Sequence, residues 1–283
     1  MKINCDMGES FGIWNMGNDA QVMPYLNMAN IACGMHASDP TVMLNTVRLA
    51  KQYQVTIGAH PGYADLQGFG RRPLNLGQEE LAALFTYQIG ALVAICQSES
   101  MPLSYVKPHG ALYNTMMKDD QVFTTLLAAL HRYDASLPLV VMAVPNHDHY
   151  QAMADEYGIE LWFEAFVDRA YGSDGRLMPR SEPGSSYHEL AQIRRQAAQL
   201  IEHGSVTTLA GEVIPVRADT LCIHGDGPQA LPTAQLLQHL LQQHLLQQQQ
   251  LQQPRQQQPQ QFQCEQGRDA STTSPARQDC GGR

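Results

Sequence analysis

The chain has no CxxC pair, no zinc-ribbon spacing of cysteines and no run approaching the roughly 18 uninterrupted apolar residues of a membrane span. It also lacks a basic segment, apolar stretch and cleavage site in the order a signal peptide needs, because Met1-Lys2-Ile3-Asn4-Cys5-Asp6 enters strand-like sequence at once. These absences argue against secretion and membrane insertion, and the expected compartment is the cytoplasm. Several of the six cysteines (Cys5, Cys33, Cys96, Cys222, Cys264, Cys280) lie inside apolar runs, where a reduced thiol behaves as a small hydrophobe. Positive charge is scarce too: 18 Lys+Arg stand against 27 Asp+Glu, a formal charge of -9. The mean field repels polyphosphate chains and anionic membranes, while a few local arginines can still hold a small anionic substrate.

Three local signatures are missing. No GxGxxG follows the first strand, which argues against a dinucleotide-binding half sheet. Without a GxxxxGK[ST] loop, any use of ATP needs another kind of site or a partner chain. Without HExxH, a metal site would have to be assembled from residues far apart in the chain.

What is present is alternation. Strand candidates at Lys2 to Cys5, Met28 to Cys33, Thr56 to Ala59, Tyr105 to Lys107, Leu139 to Val144, Leu161 to Phe166 and Thr220 to His224 are separated by helical patterns. Ser38-Asp39-Pro40 opens a helix with an N-cap acceptor and a proline at the first turn, and Gln78 to Cys96 reads as a second helix with acids at its start. Asp119 or Asp120 is the expected cap of a third, Asn146 of a fourth ending at Gly158, and Ser186 to His203 reads as a fifth closed by Gly204. Repeated βα units of this kind predict a parallel sheet closed, or nearly closed, into a barrel. Residues 1-246 are expected to form that single domain. Leu236, Leu237, Leu240, Leu241, Leu245 and Leu246 supply a final helix, and the glutamine-rich stretch 247-283 is predicted to be a disordered tail.

Four strand ends carry chemically capable residues, which is where a β/α barrel displays its working groups. Asp6 and Glu9 follow the first; each can act as an acid, a base or a hard-metal ligand, and Asp6 can instead cap the turn. His36 lies in a Gly-Met-His turn with no evident structural task, and His60 precedes Pro61-Gly62. In Lys107-Pro108-His109-Gly110 one rigid residue separates an ammonium from an imidazole; Lys107 can neutralise an oxyanion or pair with a barrel carboxylate, and His109 can shuttle a proton. Further on, Arg169 is a candidate clamp for a substrate carboxylate, with Asp168 orienting it or a histidine, and His224-Gly225-Asp226 follows the last strand. Arg71 and Arg72, in a glycine-rich loop, offer two more guanidiniums. A divalent metal held by some of Asp6, His36, His60 and His109 stays open.

The strings Asn4-Cys5-Asp6-Met7-Gly8-Glu9-Ser10-Phe11-Gly12, Ala29 through Pro40, Gly58-Ala59-His60-Pro61-Gly62, Gly68-Phe69-Gly70-Arg71, Val106 through Tyr113, Phe166-Val167-Asp168-Arg169 and His224-Gly225-Asp226 resemble the LamB/YcsF family, in order, from the first residues to about Ala230. The resemblance implies a distorted, TIM-like β/α barrel of the kind found in polysaccharide deacetylases. It also implies ATP-dependent opening of 5-oxoproline to L-glutamate, in company with two partner subunits, B and C, of a 5-oxoprolinase. In that setting Asp6, His60, Lys107 and His109 are the expected catalytic groups. Glu9, His36, Arg71, Asp168, Arg169, His224 and Asp226 are the expected substrate contacts, with ATP as co-substrate. Two rival readings are a metal-dependent amidase or deacetylase acting alone and a non-catalytic subunit that presents the lactam to its partners.

Overall fold

The computed structural model describes residues 1–225 and 227–252. In chain order its strands are β1 (Lys2–Met7), β2 (Met28–Ala32), β3 (Thr56–His60), β4 (Leu103–Val106), β5 (Leu139–Met142), β6 (Leu161–Phe166), β7 (Ser205–Thr207), β8 (Val213–Pro215) and β9 (Thr220–Ile223). Strands β1 to β6 and β9 are all parallel and close into a seven-stranded barrel, β9 completing the ring between β6 and β1. Around it lie α1 (Asp19–Val22), α2 (Pro40–Tyr53), α3 (Gln78–Ser98), α4 (Gly110–Met116), α5 (Asp120–Asp134), α6 (His147–Glu156), α7 (Leu190–His203) and α8 (Ala230–Gln252). The expected β/α barrel is the architecture observed.

Local chemistry explains most boundaries. Asp39 Oδ1 accepts from the backbone N–H groups of Thr41 and Val42 with Pro40 at the first helical position, a cap worth about 1 kcal/mol. Asp119 caps α5 the same way, and Gly204 ends α7 at φ 58°. Two expectations need correction. Helix α7 begins at Leu190 and not Ser186, because Ser186 is bridged to Arg169 in an extended segment. Asn146 stands at the N-terminus of α6 without a side-chain capping bond. The β7–β8 hairpin was not expected; its strands are three residues long, too short to show a period.

Among the described residues α3 is long and apolar enough to cross a membrane by length and composition, but its Leu81, Phe85, Ile89 and Leu92 are buried in the core of this fold. Cys5, Cys33, Cys96 and Cys222 are buried and unpaired, whereas Cys264 and Cys280 lie outside the described residues. Helix α8 continues through Gln252, so the expected tail is helical over its first residues, and 253–283 fall outside the description.

The barrel interior is set by the two-residue period of a strand. Ile3, Cys5 and Met7 of β1 join the outer core, while Asn4 and Asp6 point inward. At one end the bore is plugged by Met28, Tyr105 and Val140 with Trp162 against them. A Cβ on Gly58 would overlap the Tyr105 ring, so glycine is what admits the tyrosine. Above the plug the filling turns polar, and the plug thereby raises the working groups toward the opposite mouth.

Candidate active site

Tyr105 donates its hydroxyl to Asn30 Oδ1 (2.7 Å), and Asn30 Nδ2 donates to Asn4 Oδ1 and Asp6 Oδ1, each at 2.8 Å. Asn4 Nδ2 in turn donates to Thr220 Oγ1 (3.0 Å) and Glu164 Oε2 (3.2 Å). Lys107 Nζ crowns this ladder, 3.0 Å from Asp6 Oδ1, 3.1 Å from Glu164 Oε2 and 3.2 Å from Cys222 Sγ. Lys107 is 3% exposed and Glu164 is fully buried, so each charge depends on the others for compensation. Burial works against the Lys107 ammonium, but Asp6, Cys222 and Glu164 more than offset it and hold its pKa well above 10.5. Burial likewise opposes ionisation of Asp6, yet His60 and Lys107 prevail and keep its carboxyl well below the usual range. Lys107 therefore does pair with barrel carboxylates, and Asp6 is no turn cap.

A histidine cluster adjoins this charge group. His60 Nδ1 lies 2.7 Å from the Lys107 carbonyl and His109 Nε2 lies 2.9 Å from the Phe69 carbonyl. A carbonyl only accepts, so both of those nitrogens carry hydrogen. The two remaining nitrogens, His60 Nε2 and His109 Nδ1, then face each other at 3.0 Å. His36 stacks on His109 with ring centres 3.7 Å apart, is 1% exposed, and neither of its nitrogens has a hydrogen-bond partner among the described residues. Glu9 Oε1 is 3.7 Å from both His36 Nε2 and His109 Nδ1. One ligand atom from each of Glu9, His36, His60 and His109 falls within 4.8 Å of the rest, a donor set suited to a divalent cation. Burial, then the neighbouring histidines, push the His36 pKa well below 6.5, and burial followed by His60 does the same to His109, which favours the neutral, ligating forms.

Asp6, Glu9, His60, Arg71, Lys107, His109, Arg169 and His224 line one cavity of about 290 Å³. His36 sits behind His109, and Asp168 sits behind His224, accepting from its Nδ1 at 2.8 Å and thereby orienting the ring. Arg169 donates to the Ser185 and Met178 carbonyls, and burial lowers its pKa to about 10. Arg72 is paired with Asp65, so of the two loop guanidiniums it is Arg71 that reaches the cavity. Asp226 lies outside the described residues. Sequence reasoning gives Asn4, Asn30, Tyr105 and Cys222 no place in the site, and offers Glu164 only as a strand residue beside Asp168 and Arg169, with no role. The readable signal is polar residues at alternate positions of otherwise apolar parallel strands, where continuous apolar runs are the rule.

The LamB/YcsF family profile matches residues 1–256. The chain belongs to the LamB/YcsF family. Among LamB/YcsF relatives, the A subunit of 5-oxoprolinase from Vibrio cholerae serotype O1 is 51% identical over 231 residues, covering 82% of this chain and 93% of that one. A 5-oxoprolinase A subunit from Pseudomonas putida, the second so numbered there, is 48% identical over 239 residues, covering 84% and 93%. The crystal structure of a lactam utilization protein from Thermus thermophilus superposes with a TM-score of 0.79 at 42% identity, covering 86% of this chain and 96% of that one.

Proposed function

We propose that the chain is the A subunit of a cytoplasmic 5-oxoprolinase, which opens 5-oxoproline to L-glutamate with ATP as co-substrate and subunits B and C as partners. The observation that carries this reading is the meeting of Asp6, His60, Lys107 and His109, from three separate strand ends, on one small cavity. A volume of about 290 Å³ suits an amino-acid-sized lactam, at the lower end of ligand pockets.

A lactam carbonyl is deactivated by amide resonance, and the five-membered ring recloses readily. Transfer of the terminal phosphoryl group of ATP to the carbonyl oxygen removes that resonance and leaves ADP. Water then forms a new C–O bond at the same carbon, the C–N bond breaks, and the ring nitrogen leaves as an amine with a proton. A second water releases phosphate and completes glutamate. In this scheme His60 Nε2 takes the proton from water, and Asp6, 3.4 Å away, stabilises the imidazolium that forms. Lys107 supplies fixed positive charge for the oxygen that becomes anionic, and His109 Nδ1, 3.0 Å from His60 Nε2, accepts the hydrogen that His60 gains. Arg71 or Arg169 holds the substrate carboxylate, and His224, steadied by Asp168, closes that side.

Glu9, His36, His60 and His109 fit a divalent cation, since His36 is buried with both nitrogens unmatched and two histidine nitrogens converge without a proton of their own. Such a cation supplies Lewis-acid polarisation of a carbonyl or of water when bound.

The test is a coupled assay for glutamate and ADP with purified B and C. Loss of both products in a Lys107→Ala, His109→Ala double variant is expected; full activity would remove this site from the reaction. ATP-independent hydrolysis by the chain alone, abolished by chelator, would favour the metal-dependent amidase instead.

A further inference from the structure

Four large apolar side chains project from the six residues after Ser10: Phe11, Ile13, Trp14 and Met16 are 37%, 89%, 68% and 40% exposed. No residue from Ser10 to Asn18 is ionisable. Isolated surface hydrophobics need no explanation, but a cluster this dense on a short loop does.

The loop is built to hold its shape. Phe11 and Trp14 exchange backbone hydrogen bonds of 3.0 and 2.9 Å, and their rings stack with centres 6.2 Å apart. Ser10 Oγ accepts from the Met16 N–H (2.9 Å), and Gly12 N–H donates to Asp39 Oδ2 (2.8 Å). Gly17 packs against the Gly225 carbonyl, where a side chain would be crowded. Gly8 N–H, at the other foot, donates to Asp19 Oδ2 (2.8 Å). Rigid display of aromatic and aliphatic anchors lowers the ordering cost of binding.

Its position is equally specific. The loop starts one residue after Glu9 and ends against Gly225, both of which line the catalytic cavity. That same cavity is bordered at its exposed edge by Arg71, Lys118 and Arg180, a cationic border on a chain whose formal charge is -9, while Arg176 beside them is half-buried and bound to the Met117 carbonyl and Asp174. Apolar knob and basic border therefore share one mouth.

We infer that this loop is the docking element for a partner subunit, whose matching face is an apolar socket flanked by acidic side chains. The inference rests on the reading of the chain as one component of a multi-subunit enzyme, and adds where the partner sits: over the cavity mouth, where it can exchange substrate without release to solvent. Charge complementarity favours an acidic protein face over a membrane surface or a second copy, because a second copy would bring its own basic border to the same mouth.

The test is an Ile13→Asp, Trp14→Asp double variant of the full chain, assayed with purified B and C for binding by sedimentation and for glutamate formation over a range of partner concentration. Both side chains are exposed, so the melting temperature is expected to stay unchanged. Partner affinity is expected to fall about thirtyfold or more, with turnover at saturating partner preserved. Wild-type affinity in the variant would overturn the inference while leaving the 5-oxoprolinase reading intact. Altered self-association with normal partner binding would overturn it in favour of a homodimer contact. Knob-dependent binding of B and C without any glutamate from the wild-type mixture would uphold the docking element and defeat the proposed reaction.

Discussion

His60 Nε2 and His109 Nδ1 approach to 3.0 Å although the second nitrogen of each ring is already committed to a backbone carbonyl. Two lone pairs at that separation repel, so a proton or a cation must lie between them. The first prediction separates these cases. Elemental analysis and calorimetry are expected to find a divalent cation bound, and His36→Ala to weaken it by roughly 10- to 100-fold, the scale on which perturbed metal sites respond. Absence of metal and of any binding heat would leave the shared proton as the answer.

Acid sensitivity follows from the depressed pKa values of His36 and His109. An unfolded histidine takes up a proton as pH falls through 6.5, while the folded one resists until well below that, so the unfolded state binds more protons and stability drops through this window. The Asp6 contribution is lost only further down, below 3.8, because its folded pKa is itself depressed. Thermal unfolding between about pH 7 and 4 should thus show a melting temperature falling before carboxylates titrate. A His36→Phe variant, which keeps the stacked ring and removes the titration, should flatten that fall; an unchanged slope would contradict the assignment.

Lys107 neutralises two buried carboxyl groups. Lys107→Met is expected to cost about 3–5 kcal/mol, since it leaves Asp6 and Glu164 uncompensated. Adding Glu164→Gln should recover part of this in chemical denaturation without restoring glutamate formation. Equal stability of the single and double variants would show that the charges are not coupled.

The two arginines at the cavity should separate by readout. Arg169 is tied to the Ser185 and Met178 carbonyls, so Arg169→Ala is expected to lower stability by about 1.5–3 kcal/mol. Arg71→Ala should change unfolding little and raise the KM for 5-oxoproline about tenfold or more. A KM effect confined to Arg169 would reverse the roles.

Gly70 has φ +61°, and a Cβ there would come within 2.7 Å of His36 Cβ and 2.8 Å of His109 Cδ2. Gly70→Ala should therefore disturb cation binding at a cost of only about 1–3 kcal/mol in stability. Unaltered metal affinity would show that the cluster tolerates the displacement.

All seven barrel strands and the caps at Asp39 and Asp119 were legible because they depend on neighbours a few residues away. Strand-end residues were legible as candidates for the same reason: a parallel barrel presents the ends of all its strands at one mouth. What was not legible was any relation across strands. Asn4 and Asn30 look like scattered polar interruptions until register places Asp6 beside Asn30, and Glu164 gains its partners only once it lies beside Thr220. Glu9, read as an acid, a base, a metal ligand or a substrate contact, meets His36 and His109 only through tertiary placement, which no local pattern encodes.

The chain's own order of residues thus determined the alternation of strand and helix, the family, and the residue types delivered to the mouth, since each follows from short-range periodicity and turn chemistry. Tertiary structure alone decided that His60 and His109 meet nitrogen to nitrogen, that Lys107 is caged by two carboxyls, and that an apolar loop stands exposed beside a basic border. Those relations arise from barrel closure and inter-strand register, which bring the side chains of Asn4 and Thr220, 216 residues apart, within hydrogen-bonding distance.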